Sequence, residues 1–314
     1  MKTRIYTHPS GLQHNTGDGH PERIARLETL LELAEELPDT IFEKVSCPSA
    51  QDSQILRAHT ESYLDSLKSK NAEEEMMVLD GGDTMMSPGS LEAAYHAAGA
   101  VCQAVKDVSE GQLKRAFCMN RPPGHHAEPD HAMGFCYFNN VFLGALQARS
   151  EGFEKIAIVD FDVHHGNGTD TMTRLHSRED IFFVSSHEWP LFPNTGNPND
   201  NIKNMIMNET LPSRSGSAYF RQIYETKIFP ALESYSPDIL FISAGFDAHK
   251  NDALSTVELE NEDYDWISKN LVEISNNHCD GRIISVLEGG YNLQALKDCV
   301  KLHLLALSEA DTFN

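Results

Sequence analysis

Cysteine is scarce and scattered. The chain carries six cysteines in 314 residues: Cys47, Cys102, Cys118, Cys136, Cys279 and Cys299. None forms a C-x-x-C pair, which excludes a zinc ribbon and a disulfide framework and leaves buried thiols as the reading. Positive charge is also short. Lys plus Arg number 25 against 47 Asp plus Glu, a formal net charge of −22. Such a balance repels a phosphate backbone, so direct nucleic-acid binding is not expected, and a solvated acidic surface is. No apolar run approaches the ~20 residues of a membrane-spanning helix, and no membrane association is expected. Met1-Lys2-Thr3-Arg4 leads into a strand-like segment rather than a signal sequence, which makes a cytoplasmic protein the default expectation. Internal repeats, low-complexity tracts and shifts in composition are absent as well. A single domain over residues 1–314 is therefore expected.

What the sequence does contain is an alternation of short apolar runs with helical stretches. Ile156–Asp160, Ile181–Val184, Ile239–Ser243 and Ile283–Leu287 are continuously apolar, as buried parallel strands are, and Ala116–Met119 is a shorter run of the same kind. Apolar residues at helical spacing predict helices over Ile24–Leu37, Ser90–Val108, Ala218–Tyr235, Glu262–Asn276 and Leu293–Leu307. Asn71–Pro88 and His187–Ser217 read as long irregular stretches. Strand–helix alternation implies an α/β fold, a parallel sheet with helices on both faces.

The chemically active residues follow the strands. Arg121-Pro122-Pro123-Gly124-His125-His126, Asp160 to Gly168, Ala244 to His249 and Glu288-Gly289-Gly290-Tyr291 each come directly after an apolar run. In open parallel sheets ligands sit beyond the carboxyl ends of the strands, so four strand ends should converge on one pocket. Asp162 and His164 are two residues apart and point the same way on extended backbone. Asp247 would complete three ligands, the pattern of a catalytic metal with an open position. Zinc suits a mixed nitrogen and oxygen set, and Fe(II) or Co(II) would also fit. His125-His126 on a stiff Pro-Pro-Gly turn can supply a general base and an electrostatic partner, and Tyr291 a donor to a developing oxyanion.

Together these segments resemble the zinc-dependent histone deacetylase family, in its class II-like and bacterial amidohydrolase branch. The matching text includes Gly19-His-Pro-Glu-Arg23, Gly81-Gly-Asp-Thr84, Arg121 to Pro129, Met133 to Asn140, Asp160 to Gly168, Ser243 to His249 and Leu287 to Asn292. The resemblance implies the arginase–deacetylase fold with about eight parallel strands. It implies zinc on Asp162, His164 and Asp247, with His126 as general base. His125 would be its electrostatic partner, oriented by Asp160, and Tyr291 the oxyanion donor. His126 would face Asn167, where class I members carry an aspartate, and would be less basic for it. Gly134, Phe135 and Phe192 would line a narrow tunnel for an aliphatic chain, with Asp83 as a rim carboxylate. A potassium ion would sit on Asp160, Asp162, His164, Ser185 and Ser186. The substrate implied is an acetylated lysine on a peptide or protein, or an acetylated small amine. Leu254 stands where polyamine-selective members carry a glutamate, which ranks acyl-lysine first. Asn194 replaces a usual glycine, so that its loop is expected to take a different path, and Ala253 a usual proline.

Two alternatives differ in class. A binuclear manganese ureohydrolase needs D-x-H-x-D, and the third position here is Gly166. An acyl-lysine reader without catalysis would not need Tyr291, both histidines and all three ligands. Oligomeric state has no signature in the sequence.

Overall fold

The five apolar runs become strands, and five further strands stand beside them among the described residues. In chain order they are β1 (Thr3–Thr7), β2 (Phe42–Ser46), β3 (Met77–Val78), β4 (Met85–Met86), β5 (Arg115–Cys118), β6 (Ile156–Asp160), β7 (Ile181–Trp189), β8 (Ile206–Pro212), β9 (Ile239–Ala244) and β10 (Ile283–Leu287). The structure is a computed structural model that describes residues 1–71, 75–82, 84–177 and 179–309. β3 and β4 pair antiparallel as a small ladder of their own. The other eight form one sheet in the order β2-β1-β5-β10-β9-β6-β7-β8, parallel at every pairing.

Each central strand is apolar on both sides because each side meets a helical layer. Ala157, Val159, Leu240, Ile242 and Ile283 join one buried cluster. Their neighbours Ile156, Ile158, Ile239, Phe241 and Ile284 join the other. That is why these runs do not alternate polar with apolar. Helices Ile24–Glu36, Asn261–His278 and Leu293–Ser308 contribute to the first cluster, and Ser90–Ser109 and Asn140–Ser150 to the second.

The expected helices form within a residue or two of their predicted ends. The stretch read as Ala218–Tyr235 is helical but not uniform: a π-turn at Tyr224–Ile228 joins Ser217–Ile223 to Phe229–Tyr235. Pro230, which lacks an N–H, follows that turn. His187–Ser217 is less irregular than expected. β7 runs on to Trp189, and β8 adds an edge strand whose polar Asn208 and Glu209 hide it among loop residues. Helix Asn167–His176 follows directly on the Asp160–Gly168 segment.

Register positions the site. Asp160 at the end of β6 pairs with Ser243 of β9 and Ser185 of β7, and Leu287 of β10 pairs with Ala244 of β9. The segments leaving β6, β9 and β10 therefore begin at the same height, on one edge of the sheet.

Candidate active site

Asp162, His164 and Asp247 meet as the β6 and β9 extensions leave the sheet. One donor atom from each lies within 4.8 Å of the others, and all three residues are buried. His164 Nδ1 is 3.1 Å from Asp162 Oδ1 and 3.1 Å from Asp247 Oδ2. Backbone amides hold both carboxylates. Val163 N–H donates to Asp247 Oδ1 at 3.0 Å, and Gly289 N–H to Asp162 Oδ2 at 2.8 Å. Position 289 must be glycine for this, since a Cβ there would lie 2.1 Å from Asp247 Oδ2. Burial works against ionising Asp247, and Asp162 adds like charge, so its carboxyl rises to about 6. Burial opposes ionisation of Asp162 too, but His125 and His164 outweigh it and hold that carboxyl well below the usual range. Two packed carboxylates with converging lone pairs form a donor set that a divalent cation fits and would neutralise. Gly166 excludes a second carboxylate: a Cβ there would lie 2.3 Å from Asp160 Oδ2.

The two histidines leave β5 on the loop 119–126 and are held differently. His125 Nδ1 lies 2.9 Å from Asp160 Oδ2. Burial disfavours its charged form, yet Asp160 and Asp162 overcome this and push it up to about 10. His126 Nδ1 lies 2.7 Å from Asn167 Oδ1. Burial, together with the positive charge of His125 and His164, keeps it well below the ordinary histidine value. The rings are stacked obliquely, with centroids 4.0 Å apart.

A cavity of about 270 Å³ opens over these groups, lined by His126, Gly134, Phe135, His164, Phe192, Leu254 and Tyr291, with Pro21 and Leu191. Phe192 packs edge-on to His126 at 5.2 Å, and Phe135 edge-on to Tyr291 at 6.0 Å. Phe135 sits at φ 69°, a left-handed conformation unusual for an aromatic residue, and its N–H is tied to Thr84 Oγ1 at 3.0 Å. Burial and the nearby Asp247 hold the Tyr291 phenol well above its usual value, so it keeps its proton.

Of the residues singled out from the sequence, His125, His126, Asp160, Asn167, Asp162, His164, Asp247, Gly134, Phe135, Phe192, Leu254 and Tyr291 are brought together. Asp83 lies outside the described residues. Ser185 and Ser186 lie midway along β7, and their hydroxyls are engaged elsewhere, with His187 Nδ1 at 2.9 Å and the Tyr224 hydroxyl at 2.8 Å. Asn194 takes φ 64°, a left-handed conformation that asparagine tolerates better than most residues.

Several supporting residues carried no role in the sequence reading. Glu288 accepts from the N–H groups of Gly124 and His125 at 2.7 and 3.1 Å. Asp252 accepts from those of Tyr291 and Asn292 at 2.7 and 3.0 Å. Glu22 is fully buried against Arg121, and Arg26 reaches the carbonyls of Glu288 and Gly290 while stacking over the Tyr291 ring at 5.0 Å. Glu22, Arg121 and Glu288 stood in the matching segments, but spacing alone does not say which carboxylate meets which loop.

The histone deacetylase domain model matches residues 20–307. The chain belongs to the histone deacetylase family. It is 34% identical to a probable deacetylase of Archaeoglobus fulgidus, over 98% of this chain and 86% of that protein. It is 35% identical to type-2 histone deacetylase 2 of Dictyostelium discoideum, over 98% of this chain but only 21% of that longer protein. The crystal structure of the HDA15 HD domain superposes with a TM-score of 0.88 at 27% identity, over 97% of this chain and 90% of that one. The eight-stranded parallel sheet with helices on both faces is thus the arginase–deacetylase fold of this family. No helix among the described residues is long and apolar enough to cross a membrane.

Proposed function

We propose that this deacetylase-family protein hydrolyses the amide of an acylated lysine side chain or a similar linear amine. One observation carries the reading: His164 of the Asp162–His164–Asp247 donor set lines a single cavity with His126, Tyr291 and two phenylalanine side chains. Asp162, His164 and Asp247 would hold zinc, or Fe(II) or Co(II). The bound ion would supply a Lewis acid to the carbonyl and to the attacking water. His126 accepts a proton from that water and returns it to the departing amine, so it must begin neutral, as its surroundings favour. His125, held by Asp160, contributes positive charge beside it. Tyr291 donates a hydrogen bond from its hydroxyl to the carbonyl oxygen as negative charge develops. Phe135 and Phe192 offer apolar faces to a chain of methylenes.

Leu254 favours acyl-lysine over an acetylated polyamine, since leucine in the cavity wall gives an internal ammonium no partner. A potassium ion on Asp160, Asp162, His164, Ser185 and Ser186 belongs to the same reading and would draw partly on backbone carbonyls. The whole of residues 1–314 is read as one deacetylase domain, acting in the cytoplasm.

The test is one panel of acetyl-lysine peptides, acetylpolyamines and longer acyl-lysines, assayed with and without chelator. Turnover of acetyl-lysine that chelator abolishes is expected. A kcat/KM favouring acetylpolyamine tenfold would reverse the substrate order. No turnover of any substrate by metal-loaded protein would leave the binder reading standing. Metal analysis of Asp162→Ala and Asp247→Ala checks the ligand set, and full metal content in both would refute it.

A further inference from the structure

Behind His126 the structure contains a carboxylate that the motif reading left without a role. Asn167 presents Oδ1 to His126 Nδ1, and its Nδ2 donates to Glu128 Oε1 at 2.6 Å and to the His126 carbonyl at 3.2 Å, with the weakly accepting Met133 Sδ at 3.5 Å. Glu128 also accepts from Thr171 Oγ1 at 3.3 Å. An amide can be turned over with little change of shape, so its partners decide which end points where. Turned the other way, Asn167 Oδ1 would face a carboxylate and a carbonyl, both of which only accept. The shorter, charge-assisted bond to Glu128 is the stronger of the two constraints. With the amide so held, Oδ1 can only accept from His126. The imidazole must then carry its proton on Nδ1, which leaves Nε2 bare for the cavity that His126 lines.

We propose that Glu128 is a positioning residue of the catalytic apparatus: through Asn167 it selects the His126 tautomer able to act as a base. Its negative charge, one amide removed from the ring, also supports the imidazolium that forms when His126 accepts a proton. The carboxylate that Asn167 lacks is thus present one residue further back. Glu128, Asn167 and Thr171 line a separate cavity of about 310 Å³, so this support reaches solvent by a route apart from the substrate cavity.

The inference rests on the deacetylase reading for its kinetic arm and stands without it for its spectroscopic arm. Nitrogen-15 NMR of histidine-labelled protein, with His126 assigned by difference from His126→Ala, reports the tautomer whether or not a substrate is known. The wild type should show His126 protonated on Nδ1, and Glu128→Ala a mixture of tautomers. In the kinetic arm, Glu128→Gln and Glu128→Ala should lower kcat about tenfold or more, in the range seen when groups supporting a catalytic histidine are removed. KM should stay within about threefold and metal content unchanged. Adding Asn167→Asp to Glu128→Gln should recover much of the loss, because an acceptor-only side chain then meets Nδ1–H directly. An unchanged tautomer in Glu128→Ala overturns the proposal, as does kcat within twofold of wild type in both variants. A loss that Asn167→Asp does not recover would assign Glu128 a purely structural role and overturn it equally. Wild-type protein that turns over no substrate but shows the expected tautomer shift would instead refute the deacetylase reading alone.

Discussion

His125 and His126 are neighbours in sequence, buried alike, with rings 4.0 Å apart. Yet their protonation is pushed in opposite directions. His125 meets the Asp160 carboxylate and is held charged, up to about 10. His126 meets the Asn167 amide and is held neutral. Burial disfavours charge on both, so burial cannot be the difference. A formal charge at hydrogen-bond distance outweighs desolvation, whereas an amide dipole at the same distance does not. Once His125 is charged, it adds to the penalty on His126, so the pair divides into one fixed cation and one neutral base. A divalent cation on the adjoining donor set would draw both values down.

The comparison breaks most directly by deletion. His126→Ala should lower kcat about a thousandfold, within the range of general acid–base catalysis, and His125→Ala less. Single-turnover rates on metal-loaded protein check this, and equal or reversed losses would end the division of labour. Asp160→Asn should make the two histidines alike. With an amide at each Nδ1, His125 should lose its charge, and kcat should fall about a hundredfold. Removing the partner that orients and charges a catalytic histidine has large effects where measured in other enzymes. Imidazole titration by NMR of the metal-free variant checks whether the charge has gone.

A third buried histidine sharpens the contrast. His303 hydrogen-bonds two hydroxyls, Ser268 Oγ at 2.7 Å and Ser285 Oγ at 2.8 Å, and burial lowers it to about 3. In the unfolded chain it would protonate near its ordinary value, 6.5. The folded state therefore binds fewer protons between those values, and its stability falls as pH drops through that window. The slope should be about 1.4 kcal/mol per pH unit for this one group. Denaturant unfolding of His303→Gln across pH 4–6 should show a slope shallower by that amount. The smallest effect expected is from Asn167→Asp. A carboxylate beside His126 stabilises the imidazolium, so the acidic limb of the pH–rate profile should move up by roughly half a unit to one unit. A limb that stays in place would count against the His126–Asn167 pairing.

Most of the framework was legible in the sequence for definite reasons. A short run apolar on both faces suits a strand covered by helices on both sides, and Ile156–Asp160 and Ile283–Leu287 appear with the predicted bounds. Residues two apart directly after such a strand emerge at its carboxyl end, so the convergence of Asp162 and His164 was readable from local geometry. β8 was not, because an edge strand lies where polar residues are tolerated and so lacks the continuous apolar run. Nor were the partners of the conspicuous residues. Glu22 lies 99 positions from Arg121, Asp252 lies 39 from Tyr291, and Glu288 lies 164 from Gly124. Local pattern determined which residues carry chemistry and that they stand at strand ends. Only the tertiary structure decided which carboxylate faces which imidazole, because protonation depends on contacts of a few ångströms made by segments far apart in the chain.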